Sequence, residues 1–593
     1  MIKDRIDALK ANVIANKLDA YYFNTSDNHM SEYVPEYFKT IRYFSGFTGS
    51  LATFIVDKEK AYIFVDGRYH IQADRECGEN GIEVIKLGTK GALEPIEFIK
   101  KNYAGKVLGL DAKRTSISFA NKLTAANVKL KSIDIYSELI ENREPLSNSS
   151  LFEYSIEYAG KTRKEKLDEL RYCFSDKVHI INNLESIAYI LNLRSNDIKY
   201  TPVFLSYMII DGEDVYLFID INRLDPNQLE KLYLDGVIIK PYDEYYEVLK
   251  TIKNKTVVLD ENKVNYETYL ALKDNKNTFV NMRSIVEDMK AVKNEVEIKN
   301  TRLAHIYDGV SMARFIKWLK ESDKKNLTEL DCSNYLNNLR LNFHAFDLSF
   351  NSIVAYNQNA ASMHYSPSAE NPVYLDNSGI LLVDSGGHYM EGTTDITRTI
   401  SLGDNSAELK KHFTLVLKSM FNLSSAKFLE GMSGLTLDVL ARINIWKEGI
   451  DYRCGTGHGV GHVLSVHEGP PNFSPKAVAN TMEKLKPGMI SSDEPGVYLE
   501  GKYGIRCENE LLVRNDELNE YGQFLSFETL TMCPFDLDLI DINYLNEDDI
   551  KLLNEYHETV YNTLSPYLNE EEKAFLRKET NPICKKWNSV TGM

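Results

Sequence analysis

Two tandem α/β domains followed by an α+β domain are what this sequence predicts, from its length, an internal repeat and a late change of pattern. At 593 residues the chain is too long for one hydrophobic core. In its first half, FIVDKEKAYIFVDGRY from Phe54 aligns with MIIDGEDVYLFIDINR from Met208, pairing Asp57 with Asp211, Glu59 with Glu213, Tyr62 with Tyr216, Phe64 with Phe218 and Asp66 with Asp220. Beyond residue 285 the strand pattern gives way to a charged stretch that opens a long helix. Domains are therefore expected at 1–150, 151–288 and 289–593, the first two being near the common size of a domain.

Each repeat begins with a helix-like stretch, then an apolar run, then a hairpin around an acidic turn, Asp57-Lys58-Glu59-Lys60 in one and Asp211-Gly212-Glu213-Asp214 in the other. At nearly the same offset VLGLD, ending at Asp111, falls on VVLD, ending at Asp260. Apolar strands then alternate with amphipathic helices, the mark of an α/β layer. Neither copy holds a cluster of His, Cys or paired carboxylates, so both are expected to be scaffold, dimer surface or substrate gate. In the third domain Leu303, Ile306, Val310 and Ala313 recur at three- and four-residue steps and predict a buried helical stripe. Further helices are expected near 407–430 and 436–448, alternating with strands that carry the chemistry.

The apolar fraction of 43% is that of an ordinary globular chain. A formal charge of −17, with acids interspersed rather than blocked, excludes nucleic acid as a partner, because phosphate binding needs a basic surface. The opening MIKDRIDALKANVIANKLDAYYF carries charges every few residues and is expected to be neither secretory signal nor anchor; no later segment reads as a membrane span. Seven cysteines, an odd number with no CxxC pair, fit reduced thiols in a cytoplasm.

The candidate chemistry lies between residues 364 and 508. An apolar strand, GILLVD, ends in Asp384, and after a glycine-containing turn the strand DITRTI begins with Asp395. Returning strands would set the two acids near each other. Glu494 precedes Pro495, which favours extended backbone there. Gly504-Ile505-Arg506-Cys507-Glu508-Asn509 reads as one strand with Arg506 and Glu508 on the same face, where Arg506 could brace an acid. His364, His388, His458, His462 and His467 crowd the same region. His458 and His462 have the spacing of a zinc-protease helix, but glycine stands where the catalytic Glu would be, which excludes that reading. His388 and His462 are expected to make local hydrogen bonds. Asp384, Asp395, His458, Glu494 and Glu508 are the candidate ligands, an oxygen-rich set with one imidazole such as two closely spaced divalent cations favour.

The order Asp, Asp, His, Glu, Glu in VDSG, TTDITRT, GTGHGVG, DEPG and IRCEN resembles the aminopeptidase P (Xaa-Pro aminopeptidase) family of pita-bread metallopeptidases. FTGS…FVDGRY, NLRSND…PVFLSY and VKNEVEI resemble its long, three-domain cytosolic form, with two creatinase-N-like domains ahead of the catalytic one. The resemblance implies a dinuclear centre, usually manganese with cobalt or zinc possible, whose ligands are these five residues. Asp395 and Glu508 would bridge the ions, with a water or hydroxide between them. It further implies Glu494 as proton carrier, His364 and His467 as substrate-side imidazoles, Arg506 as the arginine that orients a ligand acid, and a cytoplasmic homodimer acting on peptides with proline at the second position. A prolidase-like Xaa-Pro dipeptidase and a non-catalytic binding module of the same fold are the alternatives. One departure is Cys454, where many members of the family have histidine; a thiol there would make activity sensitive to oxidation, and Cys454→Ser would abolish that sensitivity.

Overall fold

The computed structural model of the chain describes residues 1–585, so residues 586–593 of the third expected domain lie outside the described residues. The chain divides into two compact units, Met1–Glu287 and Asp288–Met593.

The first unit is α/β and contains two six-stranded sheets. One runs Ile82–Lys86, Ala61–Val65, Thr53–Asp57, Ala20–Asn24, Val107–Leu110, Lys129–Ser132 from edge to edge; the other runs Val237–Lys240, Asp214–Phe218, Tyr207–Asp211, Val178–Ile181, Thr256–Leu259, Thr278–Asn281. In both, successive neighbours pair parallel, antiparallel, antiparallel, parallel, parallel. The repeat legible at Asp57 and Asp211 is thus a repeat of topology. Its turns differ locally. Asp57 Oδ1 accepts the N–H groups of Glu59 and Lys60, at 2.8 and 2.7 Å, which closes the first turn with a side chain. In the second, Asp211 pairs directly with Asp214, and Gly212 supplies the positive φ of 62° that so tight a turn requires. Alternation buries both faces of the first sheet: Tyr21, Phe23, Phe54 and Val56 enter one core, Tyr22, Ile55, Phe64 and Leu108 the other.

The second unit is α+β. Its long helix, Glu295–Glu321, starts at Asn294, whose side chain accepts the N–H groups of Val296 and Glu297 while Glu297 reaches back to the Asn294 N–H. The predicted stripe is only part of what this helix buries. Val310 and Ala313 pack on Val560, Leu564 and Leu576 of the C-terminal helices, whereas Met312, Phe315 and Leu319 pack on Val354, Leu381, Val383, Ile396 and Ile400 of a sheet. Held between two layers, the helix is apolar over more than one face, and Leu303 and Ile306 lie at its half-buried margin. Helices follow at Ala407–Ser424 and Gly434–Trp446; the first stops short of the expected 430 because the chain turns into the strand Phe428–Leu429, paired with Gly522–Thr529.

Strands Ile353–Tyr356, Ile380–Ser385 and Ile396–Ser401 form an antiparallel sheet with Asp384 opposite Thr397. The expected turn between Asp384 and Asp395 is a further hairpin, Gly387–Tyr389 with Gly392–Thr393, which joins Ala345–Leu348 in a sheet of its own. The single strand expected at 504–509 is two strands, Tyr503–Arg506 and Asn509–Asn519. The break between them arises because the Glu508 N–H donates to Thr397 O at 3.2 Å and the Glu508 carbonyl accepts from Arg398 Nη1 at 2.5 Å, tying that backbone to a different sheet. All seven cysteines are free, and among the described residues no helix is long and apolar enough to cross a membrane.

Candidate metal centre

The structure brings Asp384, Asp395, His458, Glu494 and Glu508 together from separate strands. Asp384 is the next-to-last residue of one strand of the Ile380–Ser385/Ile396–Ser401 pair and Asp395 precedes the other. Glu508 is drawn to them by its N–H bond to Thr397, and His458 by its N–H bond to Ser492 Oγ at 3.0 Å. Glu494 follows the strand Ile490–Asp493, its N–H held by Thr456 O at 2.7 Å. One ligand atom from each of Asp395, His458 and Glu508 fits within a span of 4.8 Å. His458 Nε2 lies 3.4 Å from Asp395 Oδ2 and 3.5 Å from Glu494 Oε1.

The electrostatics identify what the group lacks. Burial pushes Asp395 well above the usual carboxylate range, and the charges of Asp384, Glu494 and Glu510 add to it against the opposing Arg506. Glu508 is raised in the same way, by burial first and then by Asp395, Glu494 and Asp384. Asp384 Oδ1, Asp395 Oδ1 and Glu508 Oε1 are buried without a hydrogen-bond partner. Converging carboxylates with unused lone pairs are costly unless a cation offsets them. His458 fits the same need: its Nδ1 faces the Gly459 carbonyl at 3.0 Å. A carbonyl can only accept, so Nδ1 carries a proton, and it is Nε2 that faces the acids. This donor set fits divalent cations.

Arg506 braces an acid as the sequence led one to expect, but sequence reasoning missed the other side chains that hold these groups. Thr397 Oγ1 donates to Glu508 Oε2 at 2.6 Å and accepts from Arg506 Nε at 3.0 Å. Arg506 Nη2 donates to Asp384 Oδ2 at 2.5 Å and Nη1 to Tyr498 OH at 2.7 Å. Ser492 Oγ donates to Glu494 Oε1 at 3.2 Å. Glu510 Oε1 accepts the Asp395 N–H at 2.7 Å, and its other oxygen lies 3.2 Å from His305 Nε2. A signal existed: Thr397, Ser492 and Glu510 each stand two positions from an acid, the spacing at which strand residues share a face.

The remaining histidines separate. The His467 ring meets His458 edge-on, with centroids 4.3 Å apart. His364 is half-buried in the segment between strands Ile353–Tyr356 and Ile380–Ser385. His388 Nδ1 pairs with Thr393 Oγ1 at 3.0 Å and His462 Nδ1 with Thr301 Oγ1 at 3.2 Å. His458 lies in a two-residue strand, Gly457–His458, and its flanking glycines serve backbone packing. A Cβ at Gly457 or Gly459 would come within 2.0 Å of the Ser492 or Glu468 carbonyl oxygen. Half-buried Cys454 packs in the same cluster as Tyr498, whose hydroxyl accepts from Arg506 Nη1.

Buried acids and an imidazole brought together by antiparallel strands, three of the acid oxygens without a hydrogen-bond partner, define a metal-dependent hydrolase. The model of metallopeptidase family M24 matches residues 299–515, the creatinase/prolidase N-terminal domain matches twice, at 5–143 and 142–297, and the C-terminal region of peptidase M24 matches 523–583. The chain belongs to this family and, within it, to the aminopeptidase P group. The "Probable Xaa-Pro aminopeptidase P" of Laccaria bicolor is 34% identical over 604 residues, covering 98% of this chain and 93% of its own. That of Talaromyces marneffei is 36% identical over 609 residues, covering 98% and 92%. The crystal structure of X-prolyl aminopeptidase from Caenorhabditis elegans, described as a cytosolic enzyme with a di-nuclear active site, matches with a TM-score of 0.92 at 29% identity, covering 98% of this chain and 100% of that one. The fold is accordingly two creatinase-type N-terminal domains ahead of a pita-bread catalytic domain.

Proposed function

We propose that this chain is an Xaa-Pro aminopeptidase, hydrolysing the bond between an amino-terminal residue and a following proline, with two divalent ions held by Asp384, Asp395, His458, Glu494 and Glu508. The observation that carries the reading is the convergence of these residues with three buried carboxylate oxygens lacking partners. We place domain boundaries at 150, between the two N-terminal modules, and at 288, ahead of the catalytic one.

When bound, the ions polarise the scissile carbonyl and make water a nucleophile near neutral pH. The residues do the rest. Asp395 and Glu508, the most enclosed acids, would hold the ions together with Asp384, which Arg506 fixes in place. Glu494 is the most open of the five, its side chain 22% exposed against 6% for Asp395, so it is the acid placed to take a proton on its carboxylate and pass it to the proline nitrogen. That nitrogen belongs to a tertiary amide without N–H and needs the proton to leave. His364 and His467 donate to substrate carbonyl oxygens as charge develops there.

Manganese is the ion that suits an oxygen-rich cage with one imidazole, with cobalt or zinc able to replace it. Free cysteines throughout and the cytosolic description of the nematode enzyme support a cytoplasmic protein. A homodimer is supported by Val439, Ile443 and Trp446, an exposed apolar stripe along the helix Gly434–Trp446, and by exposed Val478 and Met482 at the adjoining helix Ala479–Met482. The test is metal content by mass spectrometry with turnover of Xaa-Pro-Yaa tripeptides and Xaa-Pro dipeptides by wild type and His458→Ala. We expect bound metal, tripeptide cleavage and a loss of about 100-fold or more in the variant. Dipeptide cleavage alone would point to a prolidase; neither metal nor cleavage would leave a binding module.

A further inference from the structure

Glu329 is a buried carboxylate outside the metal cluster, only 1% exposed. It opens the helix Glu329–Leu341, where an anion suits the unpaired N–H groups of the first turn. Its oxygens are committed to one stretch of chain. Oε1 accepts the Tyr356 N–H at 2.6 Å and Asn359 Nδ2 at 3.0 Å; Oε2 accepts the Tyr365 hydroxyl at 2.6 Å. Asn359 Nδ2 also donates to Tyr365 OH at 3.1 Å, closing the triangle. The Glu329 N–H donates to Val373 O at 3.0 Å, farther along the same stretch.

This stretch links strand Ile353–Tyr356 to strand Ile380–Ser385, which carries Asp384, and His364 precedes Tyr365 in it. Its other side is equally fixed. The turn Asn357–Ala361 packs against strands Gly496–Leu499 and Tyr503–Arg506, the pair that bears Tyr498 and Arg506. The approach is so close that a Cβ at Gly504 would lie 1.8 Å from the Ala360 carbonyl oxygen. The segment is held between the Arg506 hairpin and the Glu329 carboxylate, and the residue after His364 is the one Glu329 grips by its side chain. Charge-assisted bonds at 2.6 Å are the strong kind, suited to holding a loop in one geometry.

We propose that Glu329, acting through the Tyr365 hydroxyl, is a positioning residue that sets the His364 imidazole against the substrate. The inference rests on the preceding reading of His364 as a substrate-side group. A displacement of about 1 Å in such a group can cost about 100-fold in rate, so the hydroxyl should matter to kcat although it touches no reactant.

The test uses the full-length chain loaded with Mn2+ and an Xaa-Pro-Yaa tripeptide. Tyr365→Phe, which removes one oxygen and keeps the ring, is compared in wild-type and His364→Ala backgrounds, with metal content read alongside. The expected result is a fall in kcat of about 10-fold or more with KM within about 2-fold and metal content unchanged, shrinking to under about 2-fold once the imidazole is gone. Glu329→Gln, which still offers an oxygen to Tyr356 and Asn359, should retain more activity than Glu329→Ala. An unchanged kcat in Tyr365→Phe, or an equal loss with and without the imidazole, overturns the inference while wild-type turnover keeps the peptidase reading. A wild type that binds no metal and cleaves no tripeptide removes the peptidase reading and this inference with it.

Discussion

Arg506 is where single atoms decide the geometry of the centre. Buried and forked, it reaches Asp384 with one nitrogen, Tyr498 with a second and Thr397 with its Nε, and Thr397 in turn fixes Glu508. A lysine offers a point charge and no fork. Arg506→Lys is therefore expected to lower kcat/KM by about 100-fold, with Asp384 left free to turn from its place; steady-state kinetics and metal stoichiometry check this. His458 stood out because histidines are scarce, 12 in the chain, whereas the acids, among 86, stood out only through their order and the short motifs around them. Thr397 and Ser492 offered only their two-residue spacing from an acid, a weak signal because hydroxyl residues are common, and Tyr498 offered none, since Arg506 lies across a strand pair whose register no one-dimensional pattern states. Glu510 could have been read as the next residue on the face of Glu508, but its bond to the Asp395 N–H depends on how two sheets meet.

Among the elements, periodicity was most informative where one face alone is buried. It located the helix from Glu295 and missed how many faces that helix covers, because packing between two layers erases the polar side. It joined residues 504–509 into one strand, because the break there is set by bonds to Thr397 and Arg398 rather than by a turn residue. The C-terminal helix Glu547–Leu564 carries a testable element of its own. His557 Nε2 accepts the Phe535 N–H at 3.0 Å, and burial, with Arg398 nearby, pushes its pKa down to about 3. In the unfolded chain a histidine titrates near about 6.5, so below that pH the unfolded state binds a proton that the fold refuses until about 3. Stability is then lost as pH falls through this window, at up to about 1.4 kcal/mol per unit from this group. His557→Gln, which keeps an acceptor for the Phe535 N–H, should flatten the acid limb of urea unfolding between about pH 6.5 and 4; an unchanged slope would assign the limb to other groups.

At the scale of the molecule, the duplicated sheet topology was legible from two hairpins, because each strand pair left the same alternation and acidic turn in the sequence. The apolar stripe of Val439, Ile443 and Trp446 was hidden among residues that pack inward from the same helix, such as Leu437, Ala441 and Ile445. If a second copy covers that stripe, Ile443→Asp should convert a dimer to a monomer in sedimentation without loss of fold. The central claim is that the convergent acids exist to hold metal for Xaa-Pro hydrolysis. It is tested most directly by stripping the protein with a chelator and titrating Mn2+ back while following cleavage of an Xaa-Pro-Yaa tripeptide. Activity that vanishes on stripping and returns as about two ions bind per chain is the predicted result; full cleavage by the stripped protein, or metal uptake without cleavage, would contradict it.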